Sequence, residues 1–194
     1  MLFHMQYNAD SVRYHDVMYY LLKGSIQPDA FKQAMALSVA QHPILRTAFD
    51  ISGYSQPLQL VYAEAELEFS HEDLCHLKPE QQQEYLQQWE RAELASPFSL
   101  TTPGLVRVFV YQLDSTHYRL TLSCPHAILD GWSAALLVSQ WLNDYKSIIS
   151  GQNTTVETPK IGFADFIALE QQAIESHSAR DYWASYVDGI EKCD

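Results

Sequence analysis

Basic residues are scarce in this sequence: 12 Lys and Arg stand against 24 Asp and Glu, a formal net charge of -12. They are scattered mostly singly rather than gathered into an arm, so the balance opposes attraction to nucleic-acid phosphates or to an anionic membrane surface. Cysteine is sparse as well. Cys75, Cys124 and Cys193 form no C-x-x-C pair and are odd in number, which argues against a secreted disulfide framework and for a reducing, cytoplasmic setting. No apolar run reaches bilayer-spanning length, and the first residues lack the basic and apolar regions of a signal peptide. Neither G-x-G-x-x-G nor G-x-x-x-x-G-K-[ST] occurs, so the common phosphate cradles of dinucleotide and nucleotide sites are missing.

What remains is a chain built to fold. Hydrophobic residues make up 47% and charged residues 19%, enough for one good core in one domain or two small ones. Residues 14–22 read as a buried strand ending at Lys23-Gly24. Pro28 suits the first position of a helix whose apolar face is Phe31, Ala34, Met35, Leu37 and Val39, closed by His42-Pro43. A strand over 46–51 and another over 58–62 form a hairpin around Gly53. A polar helix over 79–94 is anchored by Tyr85, Leu86 and Trp89. Residues 105–113 are nearly continuously apolar, whereas Tyr118, Leu120, Leu122 and Cys124 alternate with Arg119, Thr121 and Ser123, giving two strands paired around Asp114-Ser115.

After Gly131 the stripe Ala135, Val138, Leu142, Tyr145 and Ile149 predicts an amphipathic helix. Residues 150–159 read as a linker, followed by helices over 163–173 and 179–187. The class is α/β, an irregular alternation of helices, strands and hairpins forming a mixed sheet with flanking helices.

The segment that carries chemistry is Cys124-Pro125-His126-Ala127-Ile128-Leu129-Asp130-Gly131-Trp132-Ser133, placed where a strand ends and a helix begins. A histidine there can present one ring nitrogen to a substrate and exchange a proton near neutral pH. Asp130 is positioned to accept backbone N–H bonds at the helix start or to pair with a cation. Gly131 allows close backbone approach, and Trp132 is expected to anchor the loop. A lone histidine at a strand end is more often structural than catalytic, so spacing by itself leaves both readings open.

The segment from Pro125 to Ser133 resembles the HHxxxDGxS core motif of nonribosomal peptide synthetase condensation domains, the second histidine falling on His126. Upstream, Gln41-His42-Pro43-Ile44-Leu45-Arg46-Thr47-Ala48-Phe49 resembles the family's RHxxLRTxF segment. Met1-Leu2-Phe3-His4 is similar to the end of its first motif, Phe163-Ala164-Asp165-Phe166 to a weaker downstream one, and Tyr182-Trp183 with Gly189 to the stretch closing its N-terminal lobe.

The resemblance implies a chloramphenicol acetyltransferase-like lobe, one half of a two-lobed domain. Residues 1–194 are then the N-terminal lobe, with its first residues and the whole C-terminal lobe absent. It also implies amide formation between a carrier-bound acyl or peptidyl thioester donor and a carrier-bound aminoacyl acceptor. No cofactor of its own is expected, because both substrates ride on the phosphopantetheine of partner carrier proteins. The implied partners are the donor and acceptor peptidyl carriers, the C-terminal lobe and adjacent synthetase domains, with no nucleic acid and no membrane.

By this analogy His126 is catalytic, orienting or deprotonating the acceptor amine. Asp130, Gly131 and Arg46 support it, Asp130 fixing the loop through an ionic partner for which Arg46 is the candidate, the alternative being that Arg46 is an ordinary surface cation. Where the motif has its first histidine this chain has Pro125, which removes an N–H and an imidazole and stiffens the start of the loop. Other readings are a starter-type or other HxxxDG acyltransferase, or a degenerate recruitment lobe.

Neighbouring residues receive plainer assignments. Trp89, Trp141 and Trp183 are expected to be core anchors. His71 and His76, near Cys75, lack the second half of a zinc pattern and belong to a solvated loop. Cys124 belongs to the apolar face of its strand as an inert thiol. Ser133 has no GxSxG elbow around it.

Overall fold

The computed structural model describes residues 14–156 and 159–190, so the Met1-Leu2-Phe3-His4 resemblance and Cys193 lie outside the described residues. The chain divides into two compact units, Met1–Thr158 and Pro159–Asp194, within the expected linker.

The first unit is organised around a four-stranded sheet in the order β1-β6-β5-β4. Its strands are β1 (His15–Lys23), β4 (Glu68–Asp73), β5 (Arg107–Gln112) and β6 (His117–Pro125). β6 runs antiparallel to both neighbours, while β4 and β5 are parallel, as two strands joined through a helix can be. That helix is α2 (Pro79–Leu94). The remaining elements of the unit are α1 (Pro28–Gln41), a 3-10 turn (Pro43–Arg46), the hairpin β2 (Thr47–Asp50) with β3 (Leu58–Val61), and α3 (Gly131–Ile149).

One face of the sheet packs on α1 and α3. Here Phe31, Trp141, Leu120, Leu122, Val108 and Val110 are sealed from solvent. Trp141 meets Phe31 edge-on at 6.2 Å. The Tyr145 hydroxyl donates to the Ser25 carbonyl and accepts from the Gln27 N–H, both at 3.0 Å, so α3 holds the start of α1. The other face packs on α2, where Leu74, Leu86, Phe109 and Tyr111 form a smaller cluster with Trp89 against the rings of Phe109 and Tyr111. Trp89 and Trp141 are thus anchors, as expected.

Three expectations are corrected. β4 is a strand that the composition concealed, and it takes His71 out of the predicted loop and into the parallel ladder, opposite Val110. Arg46 ends a 3-10 turn instead of opening a strand, because Pro43 starts a tight turn and Leu45 is the residue it buries. Trp183 is 58% exposed: it lies on α5 (His177–Val187), which with α4 (Phe163–Glu175) makes the second unit, and neither helix has a buried residue. Its ring meets Tyr182 and Tyr186 edge-on instead.

A single glycine is demanded by the packing near the sheet. Gly104, at φ +84, precedes β5 where a Cβ would collide with the Glu66 carbonyl oxygen, so only glycine lets the two backbones pass. Among the described residues no helix is long and apolar enough to cross a membrane.

Candidate functional site

The site forms where β6 ends. Pro125 is the last residue of the strand and pairs with His15 across the ladder. The next N–H, that of His126, donates to the Tyr14 carbonyl at 2.8 Å on the β1 side. Because N–H groups alternate sides along a strand, position 125 faces β5, and the β5 ladder has already ended at the Arg107–Ser123 pair. Proline at 125 therefore breaks no bond that the sheet makes.

The loop is then drawn back into the core. The Ile128 N–H donates to the Pro125 carbonyl at 3.1 Å, and Ile128 and Leu129 are buried. Asp130 is the N-cap of α3, its Oδ1 accepting the Ser133 N–H at 2.7 Å. That bond, the Ser133 side chain and the nearby His126 hold the Asp130 carboxyl below the usual carboxylate range. Gly131 opens the helix, and among the described residues nothing outside its chain neighbours and its own helix backbone comes within 4 Å of where a Cβ would lie. Beside the loop an open apolar depression of about 270 Å³ is lined by Ile44, Leu45, Ile128, Leu129 and Leu136.

Between strand end and helix start, the His126 imidazole is neither sealed nor free. Its side chain is 34% exposed, and Nδ1 stands 2.5 Å from Asp16 Oδ2, whose side chain is 36% exposed. No described residue hydrogen-bonds to Nε2. Asp16 was not singled out by sequence reasoning. The available signal was an acidic residue at the head of an otherwise apolar strand, His15-Asp16-Val17-Met18-Tyr19-Tyr20-Leu21-Leu22, on the face whose next members, Met18, Tyr20 and Leu22, pack against the core.

The expected Arg46–Asp130 pair does not form among the described residues. Arg46 instead donates to backbone carbonyls, from Nε to Val39 at 2.9 Å and from the guanidinium to Tyr62 and Ala63. It ties the end of α1 to the residues after β3, while the Asp130 carboxylate is taken by its own helix. Trp132 does not anchor the loop either: first turn of α3 though it is, its side chain lies on the outer face, 76% exposed. Cys124 is the inert thiol expected, with no solvent exposure, burial first and the Asp16 charge second pushing it up to about 12.

Behind the site, on the α2 face, lies a second polar cluster. His15 Nε2 is 2.7 Å from Ser123 Oγ, Ser123 donates to Glu93 Oε1 at 2.6 Å, and Arg107 donates to the same oxygen at 2.8 Å. The Arg107 guanidinium also stacks 3.9 Å from the centre of the Phe98 ring. Burial pushes the Glu93 carboxyl up, but the His15 ring 3.7 Å away, the bonds from Ser123 and Arg107 and the Arg107 charge outweigh it and hold the group at about 2.

Known proteins resemble the chain both in sequence and in fold. The chain is 32% identical over 192 residues to the AMB antimetabolite synthetase AmbE of Pseudomonas aeruginosa, covering 97% of the chain and 9% of that protein. It is 28% identical over 192 residues to bacitracin synthase 1 of Bacillus licheniformis, covering 98% of the chain and 4% of that protein. Among solved structures, the starter condensation domain of rhizomide synthetase RzmA superposes with a TM-score of 0.79 at 20% identity, covering 98% of this chain and 48% of that one. The first condensation domain of the calcium-dependent antibiotic synthetase gives 0.78 at 20% identity, with 98% and 46% covered. The chain therefore spans about half the length of these solved domains and under a tenth of the two synthetases. The fold is theirs, mixed α/β of the chloramphenicol acetyltransferase-like type. With the condensation domain profile matching residues 1–193, over the motif and the strand-to-helix loop alike, this chain belongs to the condensation domain family.

Proposed function

We propose that this chain is the N-terminal lobe of a nonribosomal peptide synthetase condensation domain, with His126 at its reaction centre. The domain joins a donor acyl or peptidyl thioester to the amine of an aminoacyl acceptor, each delivered on the phosphopantetheine arm of a peptidyl carrier. The amine nitrogen attacks the thioester carbonyl, a C–N bond forms, the C–S bond breaks and the carrier thiol departs. The amine's proton passes to His126 Nε2 and from there to the departing thiolate. Orientation of the amine by the same nitrogen is a second contribution, since holding two bound reactants in line removes much of the entropic barrier.

The observation that carries this reading is the His126 ring: held through Nδ1, one-third open to solvent and, among the described residues, without a partner for Nε2. Gly131 supports it, because among the described residues nothing crowds the position of its absent Cβ, which leaves room for a substrate backbone or a developing oxyanion near the first N–H groups of α3. Asp130 supports it by fixing the point at which the loop joins the helix.

The test is amide formation by the complete two-lobed domain with both carriers loaded. His126→Ala is expected to lower turnover by about 10² to 10⁴-fold, the range that proton transfer by a positioned side chain supplies. Undiminished product would sink the proposal. The lobe alone is expected to be nearly inactive, because one wall cannot position two carrier-bound substrates. A recruitment lobe would keep carrier binding and show no dependence on His126.

A further inference from the structure

We infer that Asp16 is a positioning residue for His126, its carboxylate holding the imidazole in the tautomer that carries the proton on Nδ1 and presents a bare Nε2 to the acceptor amine. This rests on the function proposed above and adds to it a residue that lies in none of the resemblance segments.

The geometry is unusually constrained at both ends. Asp16 is paired in the ladder with Cys124, so His126 is its diagonal neighbour two places on, a separation that side chains can bridge. The backbone of His126 is fixed to β1 by its own N–H on the Tyr14 carbonyl, and Tyr14 itself sits at φ 68, a left-handed conformation that a bulky side chain rarely takes. Strand and loop therefore meet in a single arrangement. The Asp16 carboxylate has no other side-chain or backbone partner among the described residues, and it stands on the sheet face whose neighbours Met18, Tyr20 and Leu22 pack on the core.

The bond fixes the chemistry of the ring. An ionised carboxylate accepts and cannot donate, so the atom 2.5 Å from it must be a donor, which assigns the proton to Nδ1. A neutral imidazole with Nδ1–H has its lone pair on Nε2. The motif's own acid makes no bond to the ring among the described residues: Asp130 accepts the Ser133 N–H, and Asp16 is the carboxylate that reaches Nδ1. When Nε2 takes the amine proton, the imidazolium faces the Asp16 carboxylate, which stabilises the charge that forms.

The test uses the complete domain with both carriers loaded, comparing Asp16→Asn, Asp16→Ala and Asp16→Glu, with His126→Ala as reference. Asp16→Asn and Asp16→Ala are expected to lower kcat on the order of 10²-fold while KM for the loaded acceptor carrier changes by less than about threefold. Asp16→Glu recovers most of the loss. Nitrogen-15 NMR of histidine-labelled protein, assigned with the His126→Ala variant, reads the tautomer directly. The proton belongs on Nδ1 in the unsubstituted domain and moves toward Nε2 in Asp16→Asn, a change that a merely structural contact would not produce.

An unsubstituted domain with the His126 proton on Nε2 overturns the inference, even if every Asp16 variant fails to fold. So does an Asp16→Asn enzyme with unaltered kcat. In both cases a dead His126→Ala leaves the proposed function standing, whereas an active His126→Ala sinks that function itself.

Discussion

His15 and Asp16 are consecutive residues of one strand, and they reach opposite faces of the sheet to build two carboxylate–imidazole arrangements of opposite character. On the α2 face His15 and Glu93 are 6% and 8% exposed, and Ser123 and Arg107 both donate to one carboxylate oxygen, Glu93 Oε1. On the other face Asp16 and His126 are 36% and 34% exposed, with a single bond between them and one ring nitrogen to spare. The same two functional groups hold the fold together where they are packed away beneath α2 and tied to Ser123 and Arg107. They are available for reaction where the imidazole stands beside an opening.

The largest expected effect tests the buried arrangement. Glu93→Ala takes the nearest carboxylate from the largely buried Arg107 guanidinium, which keeps Glu68 at 3.5 Å and the Ser96 and Pro97 carbonyls; the loss is expected to be about 2 to 3 kcal/mol by urea denaturation. Acid should do the same reversibly. Because the folded carboxyl titrates at about 2 against a usual 4.5, its contribution is complete above about 4.5 and is lost as pH falls toward 2. Glu93→Gln should flatten that part of the stability profile, and an unchanged slope would show that another carboxylate governs it.

Arg46→Ala comes next. Losing charged donors to the carbonyls of Val39, Tyr62 and Ala63 is expected to cost about 1 to 2 kcal/mol. Addition of Asp130→Ala should be additive with it, since the two side chains share no partner; a coupling energy in the double mutant would restore the ion pair between them. Smallest of all is His126→Ala, whose stability should stay within about 0.5 kcal/mol while product formation by the complete domain collapses. A melting temperature that fell as far as that of Glu93→Ala would erase the contrast between the two faces.

What could be read from sequence follows from the range of the interaction involved. Helix α2 was legible to its ends because Pro79 and the spacing of Tyr85, Leu86 and Trp89 are local signals. The strand-to-helix junction at His126 was legible for the same reason, and so was the burial of Cys124. Strand β4 was not, since Glu68, Ser70, His71, Glu72 and Asp73 read as loop, and only pairing with β5 makes them a strand. The alternation along β6 did not say what covers its polar face: Arg119, Thr121 and Ser123 are buried because α2 brings Glu90 and Glu93 down to meet Arg119 and Ser123.

The candidate site divides along the same line. His126, Asp130 and Gly131 lie within six residues and declared themselves together. The pairing assigned to Asp130 was wrong because each charge found nearer backbone partners: Asp130 in its own helix, Arg46 in the carbonyls around the 3-10 turn. Asp16 stayed hidden because its relation to His126 exists only in the register of β1 against β6, which no local pattern encodes.

That register has a consequence for how the protein comes into being. Asp16 and His126 are 110 positions apart, and the ladder that joins them must close a long loop before its hydrogen bonds are gained, the kind of non-local pairing that slows folding. During synthesis β1 therefore waits for β6 to leave the ribosome before the two can pair. The hydrogen-bonded histidine appears only when that closure is complete, so acquisition of the site and global folding of the sheet are one event.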